Sequence, residues 1–155
     1  MEFKSAAAGI GIALVIIYAL GSGFWVNNSP GWYSSLNRPA WQPPDFVFGL
    51  IWPYNFVILG VAAFRVANSL SRTEVIIWLC AFALSVIGAL SWAYNFYVPH
   101  NLQFATFSLG ATTLLTLPML ILAFRVSIGL GLALLPYQIW VAVATSLAWG
   151  YSIKN

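Results

Sequence analysis

Apolar residues run along this chain in long blocks separated by short polar stretches, and the block length predicts membrane-spanning helices rather than strands. The first block, 6–26, follows Glu2 and Lys4; at about 1.5 Å per residue it matches a hydrocarbon layer of roughly 30 Å. A secretory signal is the competing reading, since Ala19 and Gly21 imitate a small-residue cleavage site. The unbroken run, however, exceeds the roughly 7 to 15 residues of a signal's apolar core. Asn27, Asn28, Ser29, Pro30 and Gly31 form a dense turn signal that ends it.

Further blocks cover 46–67, closed by Arg65 and the polar cluster Asn68, Ser69, Ser71, Arg72 and Thr73, and 75–98, ending at Pro99, His100 and Asn101. From 102 to 151 the apolar sequence is nearly continuous. As one helix it would be about 75 Å long, more than twice the hydrocarbon thickness, so it must reverse. Arg125, Val126 and Ser127, followed by Gly129 and Gly131, mark the place and give helices over 102–124 and 128–151, with Pro118 and Pro136 inside them. Residues 1–155 therefore read as a single all-α domain, a bundle of five transmembrane helices. A β-barrel is excluded because the blocks are about twice the length of a membrane strand and do not alternate.

The one long interruption is 32–52, WYSSLNRPAWQPPDFVFGLIW. Pro39, Pro43 and Pro44 each fix a backbone dihedral and push the preceding residue toward an extended conformation, so this loop should hold a defined shape. Rich in Trp and Tyr, it reads as a lid over a pocket formed by the apolar segments. A connector whose aromatic rings rest at the membrane interface is the plainer alternative.

Composition agrees with the pattern: 61% of residues are hydrophobic and 6% charged, against about a quarter charged in a soluble domain. This is an integral membrane protein. The net charge of +3 comes from six scattered Lys and Arg with no basic patch, so nucleic acid is not an expected partner. Cys80, the one cysteine, excludes an internal disulfide, and its apolar surroundings point to a small packed side chain. Lys4, Arg65, Arg72 and Arg125 fall on one side of a five-helix topology, Arg38 and Lys154 on the other. That bias places the amino terminus in the cytoplasm and the proline-rich loop outside, in a bacterial cell membrane more readily than an organellar outer membrane.

The same charges limit the chemistry. Glu2, Asp45 and Glu74 all fall at helix ends, which argues against a proton-coupled pump with a buried carboxylate. The single histidine, His100, lies in a connection and reads as a solvated loop residue; bis-His haem ligation is impossible within one chain. No Ser-His-Asp, Cys-His or metal-ligand constellation can be assembled.

What remains is aromatic: eight Trp in 155 residues. An interfacial belt accounts for Trp25, Trp32, Trp41, Trp78 and Trp149. Trp52, Trp92 and Trp140 are placed deeper, all beneath the proline-rich loop, with Ala89, Ser91, Ala144 and Ser146 nearby to leave room for a ligand or for close helix approach. Periodicity leaves pocket and packing equally open.

Trp32-Tyr33, Leu36-Asn37-Arg38-Pro39 and Trp41-Gln42-Pro43-Pro44, with Phe48 and Trp52 behind them, resemble the first-loop signature of the tryptophan-rich sensory protein family, also called the translocator protein or peripheral benzodiazepine receptor family. Trp92 resembles its third-helix Trp, and Pro136-Tyr137-Gln138-Ile139-Trp140 with Ala144-Thr145 its fifth-helix motif. The resemblance covers essentially the whole chain. It implies a five-helix bundle, commonly a homodimer, with a cavity beneath the first loop for porphyrins such as protoporphyrin IX, for isoquinoline carboxamide and benzodiazepine drugs and, in some members, for sterols. The ligand-binding positions carried over are Tyr33, Pro43, Trp52, Trp92, Trp140 and Ala144. No resident cofactor is required; the porphyrin is a ligand.

Some bacterial members are thought to degrade protoporphyrin in light and oxygen, and the resemblance then implies catalytic roles for Trp52 and Trp140. Departures from the family pattern are Ala89 and Ala148 where Asn is usual, and Trp52-Pro53-Tyr54-Asn55-Phe56 where Trp-Thr-x-Leu-Tyr is usual. The expected function is a membrane receptor, sensor or carrier of porphyrins. A structural or interaction protein whose aromatic rings serve packing, and an uncoupled small-molecule transporter, are the alternatives.

Overall fold

The computed structural model describes residues 2–27 and 29–155; Asn28, part of the turn signal above, lies outside the described residues. Six helices account for most of them: α1 (Glu2–Val26), α2 (Pro30–Ser35), α3 (Asp45–Ser69), α4 (Arg72–Tyr97), α5 (Leu102–Val126) and α6 (Ile128–Lys154). The five long ones are each apolar and long enough to cross a membrane, and no strand occurs among the described residues. The chain is an integral multi-pass membrane protein with an all-helical fold. The short α2 was not predicted; Pro30 at its first turn supplies a preset helical φ and lacks only an N–H that would have had no partner.

The connections show why the helices stop where they do. Ser71 and Glu74 form a reciprocal capping box at the start of α4, with Ser71 Oγ accepting from the Glu74 N–H. Glu74 also pairs with Arg125 at 2.6 Å, tying the start of α4 to the end of α5. At the α5–α6 reversal a single extended residue, Ser127 (φ −168°, ψ 153°), ends one helix and caps the next by accepting from the Leu130 N–H at 3.1 Å. Gly129 and Gly131, which follow the turn, lie in the first turn of α6, as the predicted helix over 128–151 requires. A Cβ on Gly131 would come within 2.2 Å of the Phe124 ring, so a hairpin this tight needs a glycine there.

Around the bundle the order is α1, α4, α5, α6, α3 and back to α1. The α4–α5–α6 side is joined by small residues and hydroxyls: Ser91 meets Ser108 at 3.2 Å, Thr112 donates to the Ser85 carbonyl at 3.2 Å, and Thr113 meets Thr145 at 2.8 Å. Pro53, Pro118 and Pro136 all lie inside helices. In the turn of α6 that Pro136 loosens, the Tyr54 hydroxyl donates to the Ala133 carbonyl at 2.6 Å.

Two sequence expectations are corrected. Trp78, assigned to the interfacial belt, is fully buried and packs against Phe82 with ring centroids 5.1 Å apart. It faces inward because α4 turns its Val75, Trp78 and Phe82 stripe toward the bundle axis, a helical spacing of three and four residues. Cys80, expected to be packed, lies off that stripe and is exposed on the outer surface.

Candidate functional site

Three of the long helices turn aromatic faces toward the same end of the bundle. From α3 come Phe48, Trp52 and Phe56, from α4 Trp92, Phe96 and Tyr97, and from α6 Trp140 and Tyr151. On α1 the facing positions are small or aliphatic, with Ala19, Ser22, Gly23 and Val26. Ser22 spends its hydroxyl on the Tyr18 carbonyl at 2.7 Å, which keeps this wall effectively apolar. Between these faces lies a cavity of about 520 Å³, inside the range of roughly 300–1,000 Å³ usual for small-molecule sites.

The deep Trp rings are braced individually rather than against one another. Trp52 stacks on Phe56 at 5.7 Å and receives the edge of Tyr18 at 5.9 Å; Phe48 presents an edge to Trp140 at 5.1 Å; Trp92 leans on Phe96 at 5.9 Å. Among the described residues no ring contact joins any two of the three. The three indoles therefore reach the cavity separately, from three helices, rather than as one packed cluster.

Over the cavity sits the proline-rich segment, 36–44, with α2. Tyr33, Gln42 and Tyr151 close a hydrogen-bonded triangle: the Tyr151 hydroxyl donates toward Gln42 Oε1, and Gln42 Nε2 donates to the Tyr33 hydroxyl at 3.2 Å. Along α6 the loop is latched at successive turns. Trp41 Nε1 donates to Ser146 Oγ at 3.3 Å, Pro39 and Trp41 lie over Gly150, and Lys154 Nζ donates to the Arg38 carbonyl at 3.3 Å. A Cβ on Gly150 would stand 2.7 Å from Pro39 and 2.9 Å from Trp41. Asn155 completes the latch by accepting from the Asn37 N–H at 2.9 Å and donating to its carbonyl at 3.3 Å.

Behind α2, Trp32 is stacked on His100 with centroids 3.7 Å apart and planes 9° from parallel. His100 is exposed, as a loop residue should be, and has a φ of 58°. The left-handed conformation lets the Asn101 N–H reach back to the Asn95 carbonyl at 2.8 Å and end α4. Neither this stack nor the Gly150 notch was found from sequence; a glycine inside a long apolar helix carries no mark of what lies over it.

Of the six expected ligand positions, Tyr33, Trp52, Trp92, Trp140 and Ala144 all lie on the cavity wall. Pro43 does not, and borders a smaller hollow lined by loop residues 38–45. The family departures sort differently. Ala148 lies on the wall, so the missing amide leaves that stretch apolar; Ala89 is buried elsewhere in the core. Pro53 is exposed on the outer face of α3, away from the cavity. Asn55 is fully buried, and among the described residues its amide has no hydrogen-bond partner.

Five membrane helices closed around an aromatic-walled cavity, with a loop latched across its mouth, define a compact multi-pass membrane protein with an internal cavity. Residues 9–153 match the TspO/MBR family, and the chain belongs to it. It is 32% identical over 151 residues to tryptophan-rich protein TspO of Chlorobaculum tepidum, covering 94% of this chain and 92% of that one. Protein CrtK of Rhodobacter capsulatus is 31% identical over 77% of this chain and 76% of its own. The translocator protein of Homo sapiens is 25% identical over 91% and 85%.

Proposed function

We propose that the cavity is a receptor site for porphyrins, with protoporphyrin IX and haem intermediates as ligands, and that the protein senses or carries them in a bacterial cell membrane. The observation that carries this reading is the convergence of Trp52, Trp92 and Trp140, from three helices, on one cavity beneath the loop. Rigid indole faces offer a planar ring system large contact area at little entropic cost, and the apolar α1 wall adds no buried charge to desolvate. Other flat apolar molecules, sterols included, should compete for the same space. A homodimer is the assembly expected with this reading, checked by the detergent-corrected particle mass.

Tryptophan-fluorescence quenching by protoporphyrin IX tests it. Removing one stacking face should cost roughly 1 kcal/mol, about fivefold in affinity, so Trp140→Ala should weaken quenching while Trp149→Ala, on the exposed outer face, should not. Equal effects would mean partitioning into detergent or lipid, and would return the chain to a structural or interaction role.

Light-dependent porphyrin degradation is the second reading, favoured by the presence of both Trp52 and Trp140 on the wall. An indole against an excited porphyrin can exchange an electron or hydrogen atom with it. Under illumination in air, Trp52→Phe or Trp140→Phe should slow the decay of porphyrin absorbance with affinity largely kept. Decay no faster than in empty micelles leaves a binder or an uncoupled carrier.

A further inference from the structure

At the end of the bundle away from the loop, the helix termini carry Lys4, Arg65, Arg72 and Arg125 together with Glu2 and Glu74. Glu74 is committed to Arg125 at 2.6 Å and to the Ser71 cap, whose N–H and Oγ donate to it at 3.0 and 2.7 Å. Lys4 donates instead to the Asn68 carbonyl at 3.0 Å, and the Arg72 guanidinium lies over the Phe3 ring at 5.0 Å. A neutral carbonyl and a ring face hold these two side chains without cancelling their charge. Arg65 is exposed and has neither an ion pair nor a hydrogen bond among the described residues. Glu2 is the one acid left beside these cations, and among the described residues it pairs with none of them.

The three cations are neighbours. Asn68, which Lys4 holds, stands three positions after Arg65 on one face of α3 and four before Arg72, and the Phe3 beneath Arg72 adjoins Lys4 in α1. Deeper along α3 that same face is apolar and turned outward. Val57, Gly60, Val61 and Phe64 recur at spacings of three and four that lead to Arg65 and Asn68, with Val57 67%, Val61 44% and Phe64 57% exposed. Ile12 of α1 borders this strip, its Cδ1 3.5 Å from where a Cβ on Gly60 would stand.

We propose that this face binds an anionic phospholipid, with Arg65 on the phosphate, Lys4 and Arg72 beside it, and an acyl chain lying along the outward strip of α3. A guanidinium fork suits a phosphate, and Arg65 has all its donors available for one. Free phosphate would meet the cations but leave the apolar strip beneath them unused. A zwitterionic lipid would cover the strip but bring its own cation to the phosphate. The site lies at the opposite end of the bundle from the cavity and does not depend on what the cavity takes.

The test places the full chain in nanodiscs of phosphatidylcholine mixed with phosphatidylglycerol and weighs it by native mass spectrometry with the lipids it retains. Wild-type protein should retain phosphatidylglycerol well above its share of the mixture, and added salt should lower that excess. Arg65→Gln removes no contact within the protein and should cut the excess roughly fivefold; Arg65→Gln with Arg72→Gln should abolish it, while Arg65→Lys keeps most of it. Lys154→Gln, at the loop end, should leave it unchanged, and inorganic phosphate at the lipid's concentration should not displace the lipid. Retention in proportion to the mixture by wild-type protein would overturn the proposal, as would an excess that Arg65→Gln leaves intact or that Lys154→Gln lowers equally. Displacement by inorganic phosphate would make this an anion site without lipid specificity and overturn it as well.

Discussion

The two ends of this bundle are built from the same helices and equally apolar sequence, yet one is closed and the other holds a cavity. Away from the loop, the facing positions are small: Ala7, Gly11, Ala62, Ala63, Val66 and Ala67 are all buried, and a Cβ on Gly11 would stand 2.5 Å from that of Ala63. Beside these close contacts Trp78 and Phe82 pack together, both fully buried, and leave no space between them. Beneath the loop the facing positions are Trp52, Phe56, Trp92, Phe96 and Trp140. Rigid rings on opposed helices prop the backbones apart, and each ring is occupied with its own neighbour. Side-chain size at facing positions, rather than hydrophobicity, decides which end can host a guest.

The largest effect should separate the two Trp environments. Trp78→Ala leaves a void where no helix can follow and should lower unfolding free energy by roughly 3–5 kcal/mol, read from the thermal or denaturant midpoint in detergent. Trp52→Ala enlarges a space that already exists, so it should cost less than half as much while weakening porphyrin quenching. Similar losses from both would break the comparison.

A smaller effect, roughly 1–3 kcal/mol, is expected for Gly131→Ala in the closed end, because the new methyl would meet the Phe124 ring directly. At the open end Gly150→Ala makes a comparable intrusion, but against Pro39 and Trp41 of the loop. The loop can lift where a hairpin cannot. Stability should therefore change by less than about 1 kcal/mol, while porphyrin dissociation quickens in stopped-flow quenching and Trp41 emission shifts to the red. An unchanged dissociation rate would mean that the latch along α6 does not govern access.

The smallest effect is assigned to a helix contact that belongs to neither specialised region. Thr145→Val removes the 2.8 Å bond to Thr113 midway along α5 and α6 and should cost about 0.6 kcal/mol, with ligand affinity unmoved. A loss several times larger would place more of the bundle's cohesion in hydroxyl contacts than the packing suggests.

By itself the sequence determined what depends on composition and local order. Runs of about 20 apolar residues can be satisfied in a bilayer only as helices. Pro30, the 71–74 capping pattern and Ser127 are local signals with local consequences, and the spacing of aromatic and proline residues around 32–52 carried the family resemblance. Periodicity could not decide which way each aromatic residue faced, because every face of these helices is apolar. A membrane removes the polar stripe that would otherwise mark the outside of a helix. Hence Trp78 read as belt and Cys80 as core, and both were reversed. Only the tertiary structure decided that Trp52, Trp92 and Trp140 share a cavity and that Gly150 is the seat of the loop. Those are consequences of helix rotation and of contacts between positions far apart in the chain, where packing of side-chain shapes is the arbiter.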